Sequence, residues 1–243
     1  MNNALSPLQK KSRDWNESRY KAGGFRAQRL YPNEELLRFL GREWFNRTTP
    51  RERRRIKILE LGCGSCANLW MIAKEGFDAY GIDITPTSLR LGRKMLKKWG
   101  VAAELTLGSM TALPYEDGTF DAVVDIFSAY SLCSAEFDLC LKEVARVLKK
   151  GGKFFSYTPS TRSDAYKNPA PARLVDPHTL NGIYRKTSPY AGNPHPHRFV
   201  SPANFRKLLE KNGFQATYLE TVGRTYRNER ERFEFVVAVG RKL

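Results

Sequence analysis

Two acidic residues and a pair of glycines carry the strongest chemical signal in the chain. Glu60, Gly62 and Gly64 lie in the stretch IKILELGCGSC, where a short apolar run is followed by a turn of small residues. Glycine lets the backbone turn tightly and approach a ligand closely. Asp83 follows about 20 residues after Gly62, where a carboxylate can accept hydrogen bonds from both hydroxyls of a ribose. The pattern predicts a binding site for a cofactor that contains a nucleoside.

A buried strand, the glycine-rich turn and a helix are needed to hold these residues in place. Strands and helices alternate along the chain, which predicts an α/β, Rossmann-like fold with a seven-stranded, mostly parallel sheet and helices on both faces. The last two strands follow each other without a helix, which predicts an antiparallel hairpin at one edge. Strands are predicted near residues 56–61, 78–82, 102–107, 120–126, 152–158, 214–221 and 233–240, and helices near 66–75, 86–98, 134–149 and 201–212.

The stretch from Ile56 to Pro159 resembles the class I S-adenosylmethionine (SAM)-dependent methyltransferases. The first motif of that family reads acid-x-Gly-x-Gly-x-Gly, and here Glu60, Gly62 and Gly64 match it while Cys66 replaces the third glycine. The later stretches GSMTALPYEDGTFDAVV and EVARVLKKGGKFFSYTP also resemble the family, and RFVSPANFRKLLEKNGF does so moderately. The resemblance implies SAM as the cofactor and methyl transfer as the reaction.

The resemblance also implies which residues hold the adenosine half of SAM. Asp83 would bind the ribose, and Ile84 would pack on the adenine ring. Ser109, which stands where many relatives carry an aspartate, would bind the adenine edge together with the backbone of Met110. A hydroxyl can accept the same hydrogen bond from the adenine amine, although more weakly.

The methionine half of SAM would be held from the other side of the turn. By the same resemblance, Glu60 would fix the turn or bind the amino acid portion, and the strand end at Ile126 would offer a carbonyl to the cofactor amine. Residues 1–50 are expected to form a helical segment over the cofactor, in which residues 1–30 form a loop or short helix and a longer helix begins after Asn33. The candidates in this segment for the cofactor carboxylate are Tyr20, Arg26 and Arg29.

Residues 51–243 are predicted to form the methyltransferase domain, with one unusual insert at about 159–200. This insert is rich in Pro, Asn, Ser and Tyr and lies between the fifth strand and the helix that follows it. Ligands of open α/β sheets bind at that carboxyl edge, and a loop of this length is usually functional or disordered. Its aromatic residues argue against disorder, so we predict a cover over the substrate.

Three residues are candidates for acting on the methyl acceptor. His195 and His197 lie at the end of the insert, and histidine can act as a general base near neutral pH if the acceptor is a hydroxyl. Tyr130 follows the fourth strand and would orient the acceptor, or would pack at the start of a helix. Asp125 would serve an amine acceptor instead.

The net charge of +16 is the most unusual feature of the composition. It would suit a nucleic acid or a phosphate-bearing small molecule, but the basic residues are spread over probable outer helix faces. The four cysteines, Cys63, Cys66, Cys133 and Cys140, are expected to be reduced thiols that fill space, with no metal site. No apolar run is long enough for a signal peptide or a membrane span, so the default location is the cytoplasm.

These observations favour a SAM-dependent methyltransferase that acts on a small-molecule acceptor. Oxygen is the favoured acceptor atom, on a substrate that is anionic or bears phosphate. One alternative is an RNA methyltransferase that uses the basic surface, and another is an NAD-dependent oxidoreductase, since GCGSCA also fits the looser dinucleotide fingerprint. The sequence gives no indication of the oligomeric state.

Overall fold

The computed structural model describes residues 5–243 and contains one large sheet that confirms the predicted fold class. The strand order is β3-β2-β1-β4-β5-β10-β9, in which β1 to β5 are parallel and β10 runs antiparallel to both β5 and β9. All seven strands were predicted. Their bounds are β1 Lys57–Leu61, β2 Asp78–Asp83, β3 Glu104–Leu107, β4 Phe120–Ile126, β5 Leu148–Pro159, β9 Phe214–Tyr226 and β10 Glu231–Lys242.

Helices cover both faces of this sheet. One apolar layer contains Phe39 and Met95, and the other contains Phe137, Val144 and Phe205, all of them buried. The helices are α1 Pro7–Gly23, α2 Glu34–Leu40, α3 Pro50–Arg53, α4 Leu69–Lys74, α5 Pro86–Trp99, α6 Ser134–Val147, α7 Asp164–Lys167 and α8 Pro202–Lys211. Among residues 5–243, no helix has both the length and the apolar character that a membrane crossing requires.

The N-terminal segment contains a longer helix than its polar sequence suggests. Helix α1 has 17 residues and begins with a capping box, in which Ser6 accepts from the backbone of Gln9 and the Gln9 side chain accepts from the backbone of Ser6. The residues that α1 buries are Gln9 and Ser12, both polar. The interpretation of residues 1–30 as a loop or short helix was therefore wrong for the part that the structure describes.

The insert at 159–200 is a folded unit. It contains α7 and a small antiparallel sheet of three strands, which are β6 Leu174–Asp176, β7 Thr179–Leu180 and β8 His197–Arg198. Tyr166 and Phe199 pack against each other with ring centroids 5.2 Å apart. The chain then enters α8, whose N-cap is Ser201.

Candidate active site

The turn after β1 requires its two glycines. Gly62 has φ of +60° and Gly64 has φ of +54°, a region that side chains disfavour. A Cβ atom at Gly62 would lie 2.5 Å from Cβ of Ser128, and one at Gly64 would lie 2.8 Å from the hydroxyl of Tyr20. The side chains of Ser128 and Tyr20 therefore lie against the turn, and only residues without a Cβ atom fit between them.

Cys66 takes the third glycine position of the motif and keeps its backbone shape. Its φ of +63° is unusual for a residue with a side chain, and the residue is fully buried. A Cβ atom at Gly92 on α5 would lie only 2.5 Å from the sulfur of Cys66. The glycine in the helix thus makes room for the thiol that the turn carries.

Asp83 lies at the end of β2 and holds the turn in place. Its Oδ2 accepts from the backbone N of Gly64 at 2.9 Å, and its Oδ1 accepts from the backbone N and the hydroxyl of Thr85. Burial raises the pKa of the carboxyl, and the hydrogen bonds from Thr85 and Gly64 oppose that shift. Each carboxylate oxygen has more than one lone pair, so Oδ2 retains capacity for a ligand hydroxyl.

Glu60 is buried at the end of β1 and has an unused oxygen. Its Oε1 accepts from the side chain of Asn68 at 2.6 Å, whereas Oε2 has no partner among the described residues. Burial raises the pKa of Glu60 to about 8. Oδ1 of Asn68 accepts from Arg29 at 3.0 Å, so Arg29 is tied to the same group. A buried oxygen without a partner is costly, and it suits a ligand that brings a donor.

Two adjoining cavities form one cleft at the carboxyl edge of the sheet. The smaller, of about 120 Å³, is lined by Asp83, Ile84 and Met110 among others. The larger, of about 460 Å³, is lined by Glu60 and Ile126 and reaches the insert. The residues that both cavities share are Asn16, Tyr20, Gly62, Phe127 and Tyr130.

Helix α1 and the insert close this cleft from two directions. Tyr20 of α1 lines both cavities, and Tyr190 and Asn193 of the insert line the larger one. Helix α1 is anchored beside α5, where the carboxylate of Glu17 accepts from the backbone N of Thr87 at 3.1 Å. Tyr20 of the N-terminal segment therefore lies in the same cleft as Glu60 and Asp83 at the sheet edge.

Two predicted cofactor residues lie outside the cleft. Arg26 is exposed and lines neither cavity, so the structure brings Arg29 to the site and leaves Arg26 in solvent. Ser109 lines a neighbouring cavity that it shares with Ile84, and its hydroxyl is paired with that of Thr111 at 2.8 Å. No sequence signal separates Arg26 from Arg29, because both are isolated arginines in a polar stretch.

The two histidines lie behind the cleft and line neither cavity. Both are fully buried, and the ring of His197 lies 4.3 Å from that of Tyr130. Burial lowers the pKa of His195 to about 4 and that of His197 well below its usual range. Asn193 connects them to the cleft, since its Nδ2 lies 3.3 Å from Nδ1 of His197 and its Oδ1 accepts from the backbone N of His195. A direct role for either residue stays a prediction.

Asp125, the candidate for an amine acceptor, makes structural hydrogen bonds and lines neither cavity of the cleft. It is fully buried, and its Oδ1 accepts from the backbone N atoms of Ser128 and Ala129 and from the hydroxyl of Ser128. Its Oδ2 accepts from the hydroxyl of Ser156 at 2.8 Å. These bonds fasten the end of β4 to the turn that follows, so the carboxylate does not face the cleft.

The comparisons with known proteins agree with this geometry. Residues 58–152 match a family model described as a methyltransferase domain. That range contains the glycine-rich turn, Asp83, nearly all of β1 and the whole of β2 to β4. This part of the chain is similar to the class I SAM-dependent methyltransferases.

Curated relatives of the chain are named for small-molecule acceptors. A sterol 4-C-methyltransferase from Caenorhabditis elegans is 31% identical over 104 residues, which is 42% of this chain and 30% of that protein. A demethylmenaquinone methyltransferase from Tropheryma whipplei is 34% identical over 98 residues, which is 40% of this chain and 39% of that protein. The chain thus spans about a third of the length of these curated relatives.

Solved structures extend the similarity in fold to the whole chain. A 1,6-didemethyltoxoflavin-N1-methyltransferase from Burkholderia thailandensis, with its acceptor and S-adenosylhomocysteine bound, aligns with a TM-score of 0.61 at 12% identity. The alignment covers 100% of this chain and 93% of that one. The similarity therefore includes the N-terminal segment and the insert, outside the stretch that the family model matches.

SAM is the cofactor of this family, and the residues of the cleft fit it. The unpartnered oxygen of Glu60 suits the ammonium group of the methionine portion, and Arg29 beside it suits the carboxylate. Asp83 suits the ribose, and the bare backbone at Gly62 and Gly64 admits the chain that joins the two halves. When bound, SAM supplies an activated methyl group on a sulfonium.

Proposed function

We propose that this protein transfers a methyl group from SAM to an oxygen of a small, planar, anionic acceptor. The observation that carries the proposal is the larger cavity, in which the cofactor residues adjoin a region with aromatic walls, called the acceptor chamber below. Trp15, Phe127, Tyr130 and Tyr190 line it, and its volume of about 460 Å³ is in the range of small-molecule sites. The relatives named above act, by their names, on a sterol, a demethylmenaquinone and a didemethyltoxoflavin.

The preference for an anion rests on the charges of the chamber. Arg19 lines the cavity, with its guanidinium carbon 4.8 Å from the centre of the Trp15 ring. A guanidinium stacked on an aromatic ring is well suited to a carboxylate or phosphate on a planar molecule. Arg19 would bind the acceptor at the mouth of the cleft, while Arg29 stays with the cofactor.

The lowered pKa values of His195 and His197 also favour an acceptor whose reacting oxygen is already ionised. A base whose pKa is about 4 removes a proton from a neutral hydroxyl poorly, because general bases work best when their pKa is close to the working pH. An oxygen that is already ionised needs no base, only alignment behind the methyl group in a dry pocket. Burial raises the pKa of Tyr130 to about 12, so its hydroxyl keeps its proton and can orient that oxygen.

Helix α1 and the insert would act as two covers in this proposal. Helix α1 places Tyr20 against the turn, and the insert places Tyr190 and Asn193 against the acceptor chamber. Together they would exclude water from the sulfonium and the acceptor. We assign Tyr20 and Arg29 of the N-terminal segment to the cofactor side of the cleft, and Trp15 and Arg19 together with the insert to the acceptor side.

Methyl transfer to a panel of acceptors tests the function. The purified protein is given SAM with a labelled methyl group and an aromatic acid, a phenol, a quinol, a sugar nucleotide or RNA. We expect O-methylation of a phenol that carries a carboxylate or phosphate, with kcat/KM rising with pH as the reacting oxygen ionises. Label on carbon would contradict the oxygen assignment, and label confined to RNA would contradict a small acceptor.

Arg19→Met is the matching variant for the anion. It should raise KM for the anionic acceptor about tenfold or more, since a charge-assisted hydrogen bond contributes roughly 1.5–3 kcal/mol. The affinity for S-adenosylhomocysteine should stay unchanged. An equal loss for neutral and anionic acceptors would refute the role of Arg19.

A further inference from the structure

A separate cavity lies between the insert and the helices on the other face of the sheet. Its volume is about 260 Å³, and none of its lining residues lines either cavity of the cleft. Phe137 of α6, Phe199 of the insert and Leu208 of α8 contribute apolar walls. Arg198 of β8 lines it from one side, and Lys207 lies at its exposed rim. Since side chains alternate along a strand, Arg198 faces away from the cleft that His197 backs.

Arg198 is a buried cation without a charged partner. Only 2% of the residue is exposed, and its guanidinium carbon lies 3.4 Å from the centre of the Phe137 ring. Its Nε and Nη2 have no hydrogen-bond acceptor, and within the described part of the chain it forms no salt bridge. Guanidinium nitrogens at this depth normally have such partners.

The carboxylates whose charges act most strongly on Arg198 already accept hydrogen bonds from other residues. Asp125 accepts from Ser128 and Ala129, which follow β4, and from Ser156 of β5. Asp176 accepts from the backbone and hydroxyl of Ser134 and from the backbone N of His178. Burial lowers the pKa of Arg198 to about 10, although Asp125 attracts its charge, so the side chain is still cationic at neutral pH. An unpaired buried cation is destabilising, and an anion in the cavity would remove that cost.

We propose that this cavity binds a small carboxylate with an apolar body, and that Arg198 pairs with the carboxylate. The planar fork of a guanidinium matches a carboxylate in shape. The apolar walls suit an aromatic or aliphatic body better than a dianion such as phosphate, which needs hydrogen-bond donors on all sides. The volume lies below the ~300 Å³ at which sites for drug-sized ligands begin, so the ligand is small. The site does not depend on methyl transfer.

Calorimetric titration with benzoate, benzamide and inorganic phosphate tests the site. It is done with S-adenosylhomocysteine present at saturation, so that the cofactor half of the cleft is filled. We expect one benzoate to bind in this cavity and to raise Tm, while benzamide and phosphate do not bind there; any benzoate or phosphate held in the acceptor chamber is identified by its loss in Arg19→Met. Absence of benzoate binding at about 10 mM, which corresponds to a binding energy weaker than about 3 kcal/mol, would overturn the proposal. Tighter binding of phosphate than of benzoate would overturn it as well.

Four variants separate this site from the acceptor chamber. Arg198→Met should weaken benzoate binding at least tenfold, and Leu208→Phe should do the same by filling the cavity while Arg198 is kept. Lys207→Met at the rim and Arg19→Met in the cleft should leave the affinity within a few-fold of the original. Loss of benzoate binding in Arg19→Met alone would mean that benzoate occupies the acceptor chamber, which contradicts the proposal.

Discussion

Gly92 and Cys66 form a pair whose energetic coupling can be worked out from their separation. In Gly92→Ala, the new Cβ would lie 2.5 Å from the sulfur of Cys66, whereas such atoms pack at about 3.5 Å or more. A shift of about 1 Å inside a packed core costs roughly 1–3 kcal/mol. Alanine in a helix gains about 1 kcal/mol over glycine, so we expect a net loss of up to about 2 kcal/mol.

The same alanine should stabilise the protein once the sulfur is gone. Cys66→Gly removes the strain of a left-handed backbone, which costs about 1 kcal/mol. It also removes a buried small side chain that stabilises the fold by about 1 kcal/mol. We therefore expect the free energy of unfolding to stay nearly unchanged. With glycine at position 66, Gly92→Ala keeps the helix gain of about 1 kcal/mol without the clash. The double-mutant cycle should therefore show a favourable coupling of about 1–3 kcal/mol.

Urea unfolding of the four proteins measures this coupling, provided that the m-values agree. Gly41→Ala is the matched control, because Gly41 is also helical and the nearest atom to its added Cβ is 3.9 Å away. It should be stabilised slightly and show no coupling to Cys66→Gly. Free energies for Gly92→Ala and Cys66→Gly that add within about 0.5 kcal/mol would refute the reasoning.

Three further predictions concern the cofactor site. Asp83→Asn should weaken S-adenosylhomocysteine about tenfold or more in calorimetry, because the ribose loses a charged acceptor; unchanged affinity would contradict the ribose role. Arg29→Met should cause a loss of similar size, while Arg26→Met should cause none; equal effects would contradict the assignment of Arg29. Because burial raises the pKa of Glu60 to about 8, its contribution to stability falls as pH rises from its ordinary 4.5 to that value. Glu60→Gln should therefore gain free energy of unfolding relative to the parent across this range, and a constant difference would show that Glu60 ionises normally.

The sheet could be predicted because its strands carry local signals. Strands β1 and β4 are largely buried on both faces, so most of their residues are apolar, and each strand is followed by turn residues. Gly62, Gly64 and Asp83 could be assigned together because the βαβ connection brings the ends of β1 and β2 side by side. Fold and cofactor site are therefore contained in short stretches of sequence.

The remaining parts depend on contacts between distant residues. Helix α1 has no apolar stripe, and its start was marked only by Ser6, Pro7 and Gln9, a capping box that could have revealed it. The burial of His195 and His197 depends on aromatic rings from three other segments, which no local pattern indicates. The unpaired state of Arg198 likewise appears only when the surrounding side chains are placed.

The buried residues of α1 are polar, and this has a consequence for how the cleft opens. The helix is held by hydrogen bonds such as those from Gln9 to Thr111 and from Thr87 to Glu17, and it buries little apolar surface. Water can replace such bonds at small net cost, so α1 should detach as a unit while the sheet stays folded. We expect its amide protons to exchange much faster than those of β4. The turnover of the enzyme would then be set by this local unfolding rather than by the transfer of the methyl group.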